Sequence, residues 1–380
     1  HGLINFIQPT VTPHNEVLPR ASRSGRIDRI AVQSQADERL SCGPPDIPSK
    51  RREAMRFTSL VVELIRARPR LTVVIVLLCQ AAIWLAVVLL FYRSPPGDLA
   101  TVLAFGREYQ VGTDLGPPLA FWLADIVYRA SGSHMFGVYL LAEVSQIATL
   151  WIVYLLARTI LGSQQAVLAV LLTMTVTAFA APTLDFGPEV LARPLWALLL
   201  FHSWQLLGQN RRNAWFAWSI EAGLLLLTTS AAIGLLLLLV GFTLSTAQGR
   251  RLLRSFDPLF ALLVVLVLAL PYLIFVLRAD GVGLPPLPAL SELTARGRLW
   301  AHLLGGLVLV MAPILVLVVL DSNWFGRGES EAPIIYRPPV GPLARNFVYF
   351  FALAPGLGAV LISGLFGLDR VIGGAGVVLL

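Results

Sequence analysis

The stretch LTVVIVLLCQAAIWLAVVLLFY, residues 71–92, decides the fold because it holds 22 residues without a charge. About 20 apolar residues in a helix cross a hydrocarbon core of about 30 Å. Similar runs recur to the end of the chain, which is 56% hydrophobic and 13% charged. That is about half the charge of a soluble domain. The sequence therefore predicts an all-α, polytopic transmembrane protein.

The basic balance of the chain, 29 Lys+Arg against 22 Asp+Glu, would suggest nucleic acid in a soluble protein. Here the arginines lie mostly between apolar runs, where they set membrane orientation. We therefore predict membrane lipids, and no nucleic acid, as partners. Cys42 and Cys79 have no metal-ligand spacing around them, so neither a disulfide nor a zinc site is expected.

The apolar runs predict about nine spans. Segment 215–245 is flanked on both sides by arginines, so the positive-inside rule requires an even number of crossings. We expect a hairpin of two short helices that turns near Thr228, Thr229 and Ser230; one long tilted helix is the alternative. The remaining runs lie near 71–92, 135–157, 166–182, 190–208, 256–278, 299–320 and 346–366.

The two ends of the chain have a different texture. Residues 1–54 are polar and rich in proline and arginine, so we expect a disordered, non-native extension with Met55 as the natural start. Residues 55–70 form an amphipathic cytoplasmic lead-in, and 71–380 form the transmembrane module. The final run, VIGGAGVVLL, is too short to span, which indicates a truncated C-terminus.

The arginines before residue 71 place the N-terminus in the cytoplasm and segment 93–134 outside a plasma (inner) membrane. This first external loop predicts two interfacial amphipathic helices. The expected apolar positions are Leu99, Leu103 and Phe105 in the first helix, and Leu119, Trp122, Leu123 and Ile126 in the second.

Asp98 follows the first span closely, so its carboxylate is expected at the outer membrane surface. A carboxylate there can act as a general base or bind a metal. Position alone favours a third role, in which Asp98 caps the helix that begins at Leu99.

The second external loop, APTLDFGPEVLARP, brings Asp185 and Glu189 to the same side. Asp185 could be a turn residue, and Glu189 could simply favour the first turn of a helix. Arg193 lies four residues after Glu189, inside a span, where a charge needs a partner or a phosphate. Pairing with Glu189 is the simpler interpretation, and phosphate binding is the more specific one.

These motifs resemble the GT-C superfamily of membrane glycosyltransferases, in the bacterial branch of the protein O-mannosyltransferases and the lipid A aminoarabinose transferase (family 39 type). The likeness rests on GD at 97–98, DLGPPLAFWL at 114–123, the acidic stretch TLDFGPE, and the hairpin at 215–238 followed by a span with ALPYLIF. It covers residues 56 to 380, the N-terminal part of a family member.

The resemblance implies an inverting transfer of a sugar from a polyprenyl-phosphate donor to a glycan, lipid or protein acceptor on the external face. It makes Asp98 the candidate base, with Asp185 contributing, and places Asp114 and Glu189 among the substrate-binding residues. Relatives carry lysine or histidine where this chain has Gly116, and lysine where it has Thr229. Donor phosphate would therefore bind other cations, with Arg107, Arg193 and Arg278 as candidates.

Three questions stay open at this level. No cofactor is assigned, and whether a divalent metal is needed is undecided. A lipid or polysaccharide transporter is one alternative, although we find no internal repeat of the kind that transporters show. A non-catalytic, degenerate transferase is the other, because the family lysines are missing.

Overall fold

The computed structural model describes residues 63–92, 94, 97–113, 115–180, 185–278, 296–321 and 340–366, all within one compact unit. This part of the chain contains helices and no β-strand, which confirms the all-α prediction. The helices are α1 (Pro69–Phe91), α2 (Leu99–Glu108), α3 (Leu119–Ala130), α4 (Met135–Leu161), α5 (Ser163–Thr175), α6 (Thr177–Ala180), α7 (Pro188–Leu207), α8 (Ala214–Leu226), α9 (Ala232–Ser245), α10 (Ala247–Leu253), α11 (Asp257–Arg278), α12 (Gly297–Asp321) and α13 (Pro342–Phe366). The predicted extension at 1–54 lies outside the described residues.

Five of these helices, α1, α4, α7, α11 and α13, are long and apolar enough to cross a membrane. The bent pair α9–α10 can count as a sixth, and α5, α8 and the apolar part of α12 are shorter apolar helices. Together these elements occupy every predicted span. The polytopic membrane prediction is therefore confirmed.

Segment 215–245 is a hairpin, as the flanking arginines predicted. Helix α8 ends at Leu226 and α9 begins at Ala232. Arg212, just before α8, and Thr246, just after α9, line the same pocket, so both outer ends of the hairpin lie on one side. The turn reaches the other side, where Leu227 accepts a backbone hydrogen bond from Leu119 N at 3.0 Å.

The first external loop contains both predicted interfacial helices, α2 and α3. Leu99 and Leu103 of α2 are buried and Phe105 is partly buried, as expected. The predicted apolar face of α3 is not the face that packs on the protein, since Ile126 is exposed while Ala120, Phe121, Ala124 and Asp125 are buried. The reason is close packing on α2: a Cβ on Gly106 would stand 2.9 Å from Asp125 Cβ, so the side of α3 that carries Phe121 and Asp125 meets the α2 backbone at a glycine.

Helices α4 and α7 pack along each other at the centre of the described bundle. At the carboxylate end, Phe186 and Val190 share a buried apolar cluster with Val102 of α2 and Val138 of α4. At the opposite end, Leu206 and other α7 residues pack among the hairpin helices and α13. The same two helices thus carry the second external loop and support the hairpin.

Candidate functional site

Asp98 and Asp185 lie side by side at the exit of the first span. A Cβ built on Gly97 would overlap the carboxylate of Asp185, so that carboxylate fills the space beside the Gly97–Asp98 backbone. Gly97 also has a φ of 62°, in the left-handed region that favours glycine. Glycine is therefore needed here twice, for its backbone angle and for the close approach of Asp185.

Packing of the residues next to both aspartates explains how two distant loops meet. Leu99, directly after Asp98, is fully buried in the same cluster as Phe186, directly after Asp185. Burying these two apolar side chains leaves the preceding carboxylates exposed at the surface. A buried leucine or phenylalanine contributes about 1.5–3 kcal/mol, so each anchor is a substantial restraint.

The electrostatics of the pair differ from those of an ordinary surface carboxylate. Burial raises the pKa of Asp185 above its usual value, and the negative charge of Asp98 raises it further. The Asp98 side chain makes no capping hydrogen bond, although it occupies the N-cap position of α2. Its carboxylate is thus not engaged by the helix, in contrast to the capping role that position alone favoured.

Tyr139 is a third member of the cluster that sequence reasoning missed. Its side chain is 94% buried, and it is close enough to Asp185 to interact with that charge. Glu143 and Gln146 follow on the same face of α4, at i+4 and i+7, and both are buried. This polar stripe in a membrane helix is the signal that could have revealed the site.

Arg193 lies beneath the second loop and not at the surface. Its side chain is about nine-tenths buried, it interacts with the charge of Glu189, and its guanidinium lies 5.6 Å from the centre of the Phe179 ring. The Phe179 carbonyl accepts hydrogen bonds from Gln80 at 2.7 Å and Gln146 at 3.3 Å. The interaction with Glu189 is thus present, and Arg193 also belongs to a buried polar group that joins three helices.

The other predicted substrate-binding residues are dispersed. Arg107 and Arg278 are exposed in the last turns of α2 and α11. The ring of Phe275, one turn before Arg278, packs against Gly112 of the first loop, so α11 ends on the carboxylate side. Asp114 lies outside the described residues.

A second acidic residue of the first loop, Asp125, has a structural role. It is fully buried, accepts a hydrogen bond from the Tyr109 hydroxyl at 2.8 Å, and pairs with Arg129 Nε at 2.6 Å. Its hydrogen bond is the main reason why the pKa of Tyr109 lies above the usual value. These three residues form a clamp between α2 and α3. The i, i+4 spacing of Asp125 and Arg129 was the available signal.

Glu221 and His202 form a separate pair between α8 and α7. The His202 Nδ1 atom lies 2.8 Å from one Glu221 oxygen and 2.9 Å from the other. His202 is 14 residues beyond Pro188, so the pair lies about 21 Å along α7 from the carboxylates. It belongs to the helix packing and not to the Asp98–Asp185 cluster.

The number of carboxylates at the site limits how a divalent metal could be bound there. Asp98 and Asp185 offer two carboxylates, and the described residues contain no group of three or more metal-binding side chains. A divalent cation held here would take its remaining ligands from water or from a phosphorylated substrate. Four pockets formed by described residues lie elsewhere, and neither aspartate lines any of them.

Gly116 and Thr229, which stand where the superfamily resemblance led us to expect basic residues, both lie on the carboxylate side. Gly116 has a φ of 130° and exchanges backbone hydrogen bonds with Thr113, a conformation that a lysine would rarely adopt. Thr229 lies in the hairpin turn, next to the contact between Leu227 and Leu119. The local backbone at residue 116 is thus specific to glycine.

Residues 116–275 match the family model of the dolichyl-phosphate-mannose-protein mannosyltransferases. The matched range includes Asp185, Glu189 and Arg193, while Asp98, Arg107 and Arg278 lie outside it. No curated protein and no solved structure gives a match. The family match, together with the multi-pass helical fold, supports a membrane glycosyltransferase of the GT-C type. This agrees with the superfamily resemblance seen in the sequence.

Proposed function

We propose that this protein transfers a sugar from a polyprenyl-phosphate donor to an acceptor, with inversion, at the Asp98–Asp185 surface. The observation that carries the proposal is the contact of the Asp185 carboxylate with Gly97, next to Asp98. Two acidic loops that are about 90 residues apart in sequence meet at one point on the membrane surface. A lipid-linked donor presents its phosphate at this level while its tail stays in the bilayer.

The reaction needs a base and a site for the leaving group. Asp98 accepts the proton of the acceptor hydroxyl, whose oxygen attacks the anomeric carbon as the bond from that carbon to the phosphate oxygen breaks. A single displacement of this kind inverts the anomeric centre. Asp185 lies beside Asp98 and would position it or share its proton, and Tyr139, which interacts with Asp185, would support that residue. A divalent metal bound by the two aspartates would add positive charge for the phosphate.

The leaving phosphate requires cations. Arg107 and Arg278 are exposed on the carboxylate side, and in the described part of the chain neither forms an ion pair. Both are therefore available to a donor phosphate, which arginine binds well. Arg193 is buried below them, where it would act mainly by orienting the second loop, and Glu189 and Asp114 would contact the sugar or the acceptor.

The arginine-rich end of the bundle is expected to face the cytoplasm of a plasma (inner) membrane. The carboxylates then lie outside the cell, where the acceptor would be a glycan, a lipid or a protein. This places the N-terminus inside, in agreement with the arginines that precede α1.

The test is a transfer assay with polyprenyl-phosphate sugars and membrane extracts as acceptor, comparing wild type with Asp98→Asn. We expect at least about a hundredfold loss of transfer, because a general base typically contributes that much. Glu108→Gln is the matched control, since Glu108 is an exposed acid of the same loop that accepts a hydrogen bond only from Gln110 among described residues. Undiminished transfer by Asp98→Asn would remove this residue from the mechanism.

The missing lysines at 116 and 229 favour a second candidate, a non-catalytic relative that binds lipid-linked sugars. It predicts donor binding without transfer in the wild-type protein. Isothermal titration calorimetry with the donor, together with the transfer assay, distinguishes the two candidates.

A further inference from the structure

Two adjoining hollows lie at the arginine-rich end of the bundle. Helix α7 begins beside Asp185 and ends 20 residues later at Leu207, so its two ends are about 30 Å apart. Asn210 and Arg212 follow its C-terminal end and line a pocket of about 750 Å³. This pocket is therefore separated from the carboxylate site by the thickness of the hydrocarbon core.

The first hollow is polar and basic. Arg212 comes from the turn before α8 and Arg251 from α10, and Gln248 and Ser255 add polar groups. None of its described lining residues is acidic. Asp257 accepts a hydrogen bond from Ser255 at 3.3 Å and lines a neighbouring pocket that Arg212 also lines, but it forms no ion pair with a described residue. Two arginines that no carboxylate pairs with in the described residues suit a phosphate group.

The second hollow is an apolar groove of about 300 Å³ that adjoins the first, since Leu252 lines both. Its walls come from α7, α8, α9 and α11, with Leu206, Leu239 and Val265 among the lining residues. A groove between membrane helices with walls of this composition suits a hydrocarbon chain.

The groove holds one polar atom that has no partner. Trp215 lines it, and its indole Nε1 is buried and hydrogen-bonds no described residue. The indole of Trp218, one turn further along α8, donates to Ser203 Oγ at 2.9 Å. A buried N–H without an acceptor costs free energy, so an acceptor that reaches Trp215 would lower that cost. Trp215 is the second residue of α8, at the end of the helix next to Arg212, and tryptophan is enriched at the membrane interface.

We propose that these two hollows form a binding site for an anionic phospholipid of the arginine-rich leaflet. Its phosphate contacts Arg212 and Arg251, an ester carbonyl accepts from Trp215 Nε1, and one acyl chain lies in the groove. Basic pockets between membrane helices bind anionic headgroups in this way. The apolar groove next to the arginines favours a lipid over a free anion. The bound lipid joins α7, the hairpin and α11, and this role does not depend on the transferase activity.

The test uses the purified full chain in phosphatidylcholine nanodiscs that contain a little phosphatidylglycerol with a photoreactive diazirine on one acyl chain. After illumination, peptide mass spectrometry maps the crosslinks. We expect labels on the groove segments 236–243 and 258–265. The same diazirine on phosphatidylcholine should label these segments about tenfold less, because that headgroup carries no net negative charge for Arg212 and Arg251 to bind.

Matched charge variants locate the headgroup. Arg212→Gln with Arg251→Gln should lower groove labelling about tenfold. Arg211→Gln with Arg254→Gln removes two exposed neighbouring arginines that do not line the pocket, and labelling should stay near the wild-type level. Val240→Trp fills the groove from a side chain that is 47% exposed, and it should lower labelling with all arginines present.

Three results would overturn the proposal. The first is equal labelling by the phosphatidylcholine and phosphatidylglycerol probes, and the second is an equal loss of labelling in the two double arginine variants. The third is no groove labelling in the wild type, as expected if a second protein chain covers the groove. Thermal unfolding of each variant in detergent should match the wild type, which separates lost lipid binding from misfolding.

Discussion

The contact between Gly97 and Asp185 sets the geometry of the site at the scale of single residues. Gly97→Ala would place a methyl group on the Asp185 carboxylate and force a left-handed backbone on alanine, at a cost of about 1–2 kcal/mol. We expect transfer to fall about a hundredfold, because a displacement of about 1 Å has this effect on catalysis. Gly234→Ala is the control, since no atom lies within 4 Å of its added Cβ. Full activity of Gly97→Ala would show that the aspartate contact is dispensable.

Asp185 should be destabilising when it is charged. The pKa of Asp185 is higher in the folded state than in the unfolded state. At a pH between these two pKa values, the folded protein therefore binds more protons than the unfolded protein. The free energy of unfolding then falls as the pH rises through that window. Asp185→Asn should therefore raise the melting temperature at pH 7, and the gain should vanish below the unfolded pKa. Thermal unfolding at several pH values checks this. A lower melting temperature for the variant at pH 7 would contradict the assigned repulsion.

Sequence reasoning at this scale predicted that the two aspartates lie on the same side of the membrane, and in the structure they lie close together. It could not predict the contact with Gly97, because that contact depends on how Phe186 packs against Val102 and Val138, far away in sequence. Tyr139 was missed because the sequence does not show that it lies close to Asp185 in the fold. Arg193 was noticed as a buried charge, but the ring of Phe179 beneath its guanidinium was not predictable.

At the scale of helices, the Tyr109–Asp125–Arg129 clamp joins α2 to α3. Tyr109→Phe removes the hydroxyl that donates to the buried Asp125, and loss of a hydrogen bond to a buried charge costs about 1–3 kcal/mol. We expect that decrease in the free energy of unfolding, measured by chemical denaturation. Tyr128→Phe is the control from the same loop, because the Tyr128 hydroxyl donates to no residue in the described ranges. Equal effects of the two variants would argue against the clamp.

The helices themselves were predictable because the spacing of apolar residues and the prolines fixes where they begin. The buried face of α3 was not predictable, because both the protein interior and the membrane lipid favour contact with apolar residues. Its large apolar residues form a stripe, yet the side that packs on α2 carries Phe121, Ala124 and Asp125, with Phe121 and Asp125 lying against Gly106. A stripe in an interfacial helix therefore does not show which side meets protein and which meets lipid.

At the scale of the whole molecule, the carboxylates and the arginine clusters lie at opposite ends of the bundle. Arg68, Arg70 and Arg158 share one pocket there, and Arg212 and Arg251 share another. Counting flanking arginines was enough to predict the hairpin, because orientation is a property of charges near the membrane surface. The bend of 109° between α9 and α10 was not predictable, since no proline or charge marks it.

Cysteine accessibility tests this topology. In a background with Cys42→Ala and Cys79→Ala, a membrane-impermeant maleimide should label His134→Cys and Ser230→Cys in intact cells, because both residues are exposed on the carboxylate side. Arg211→Cys should react only after the membrane is opened. Labelling of Arg211→Cys in intact cells, or failure of Ser230→Cys to react there, would contradict the orientation or the hairpin.

The central claim is that Asp98 and Asp185 act as one catalytic unit. The most direct measurement is sugar transfer by Asp98→Asn, Asp185→Asn and the double variant. Groups that act together are strongly non-additive, so we predict that the double variant loses no more activity than the worse single variant. If instead the two losses multiply, the aspartates work independently and the site described above is not a single catalytic centre.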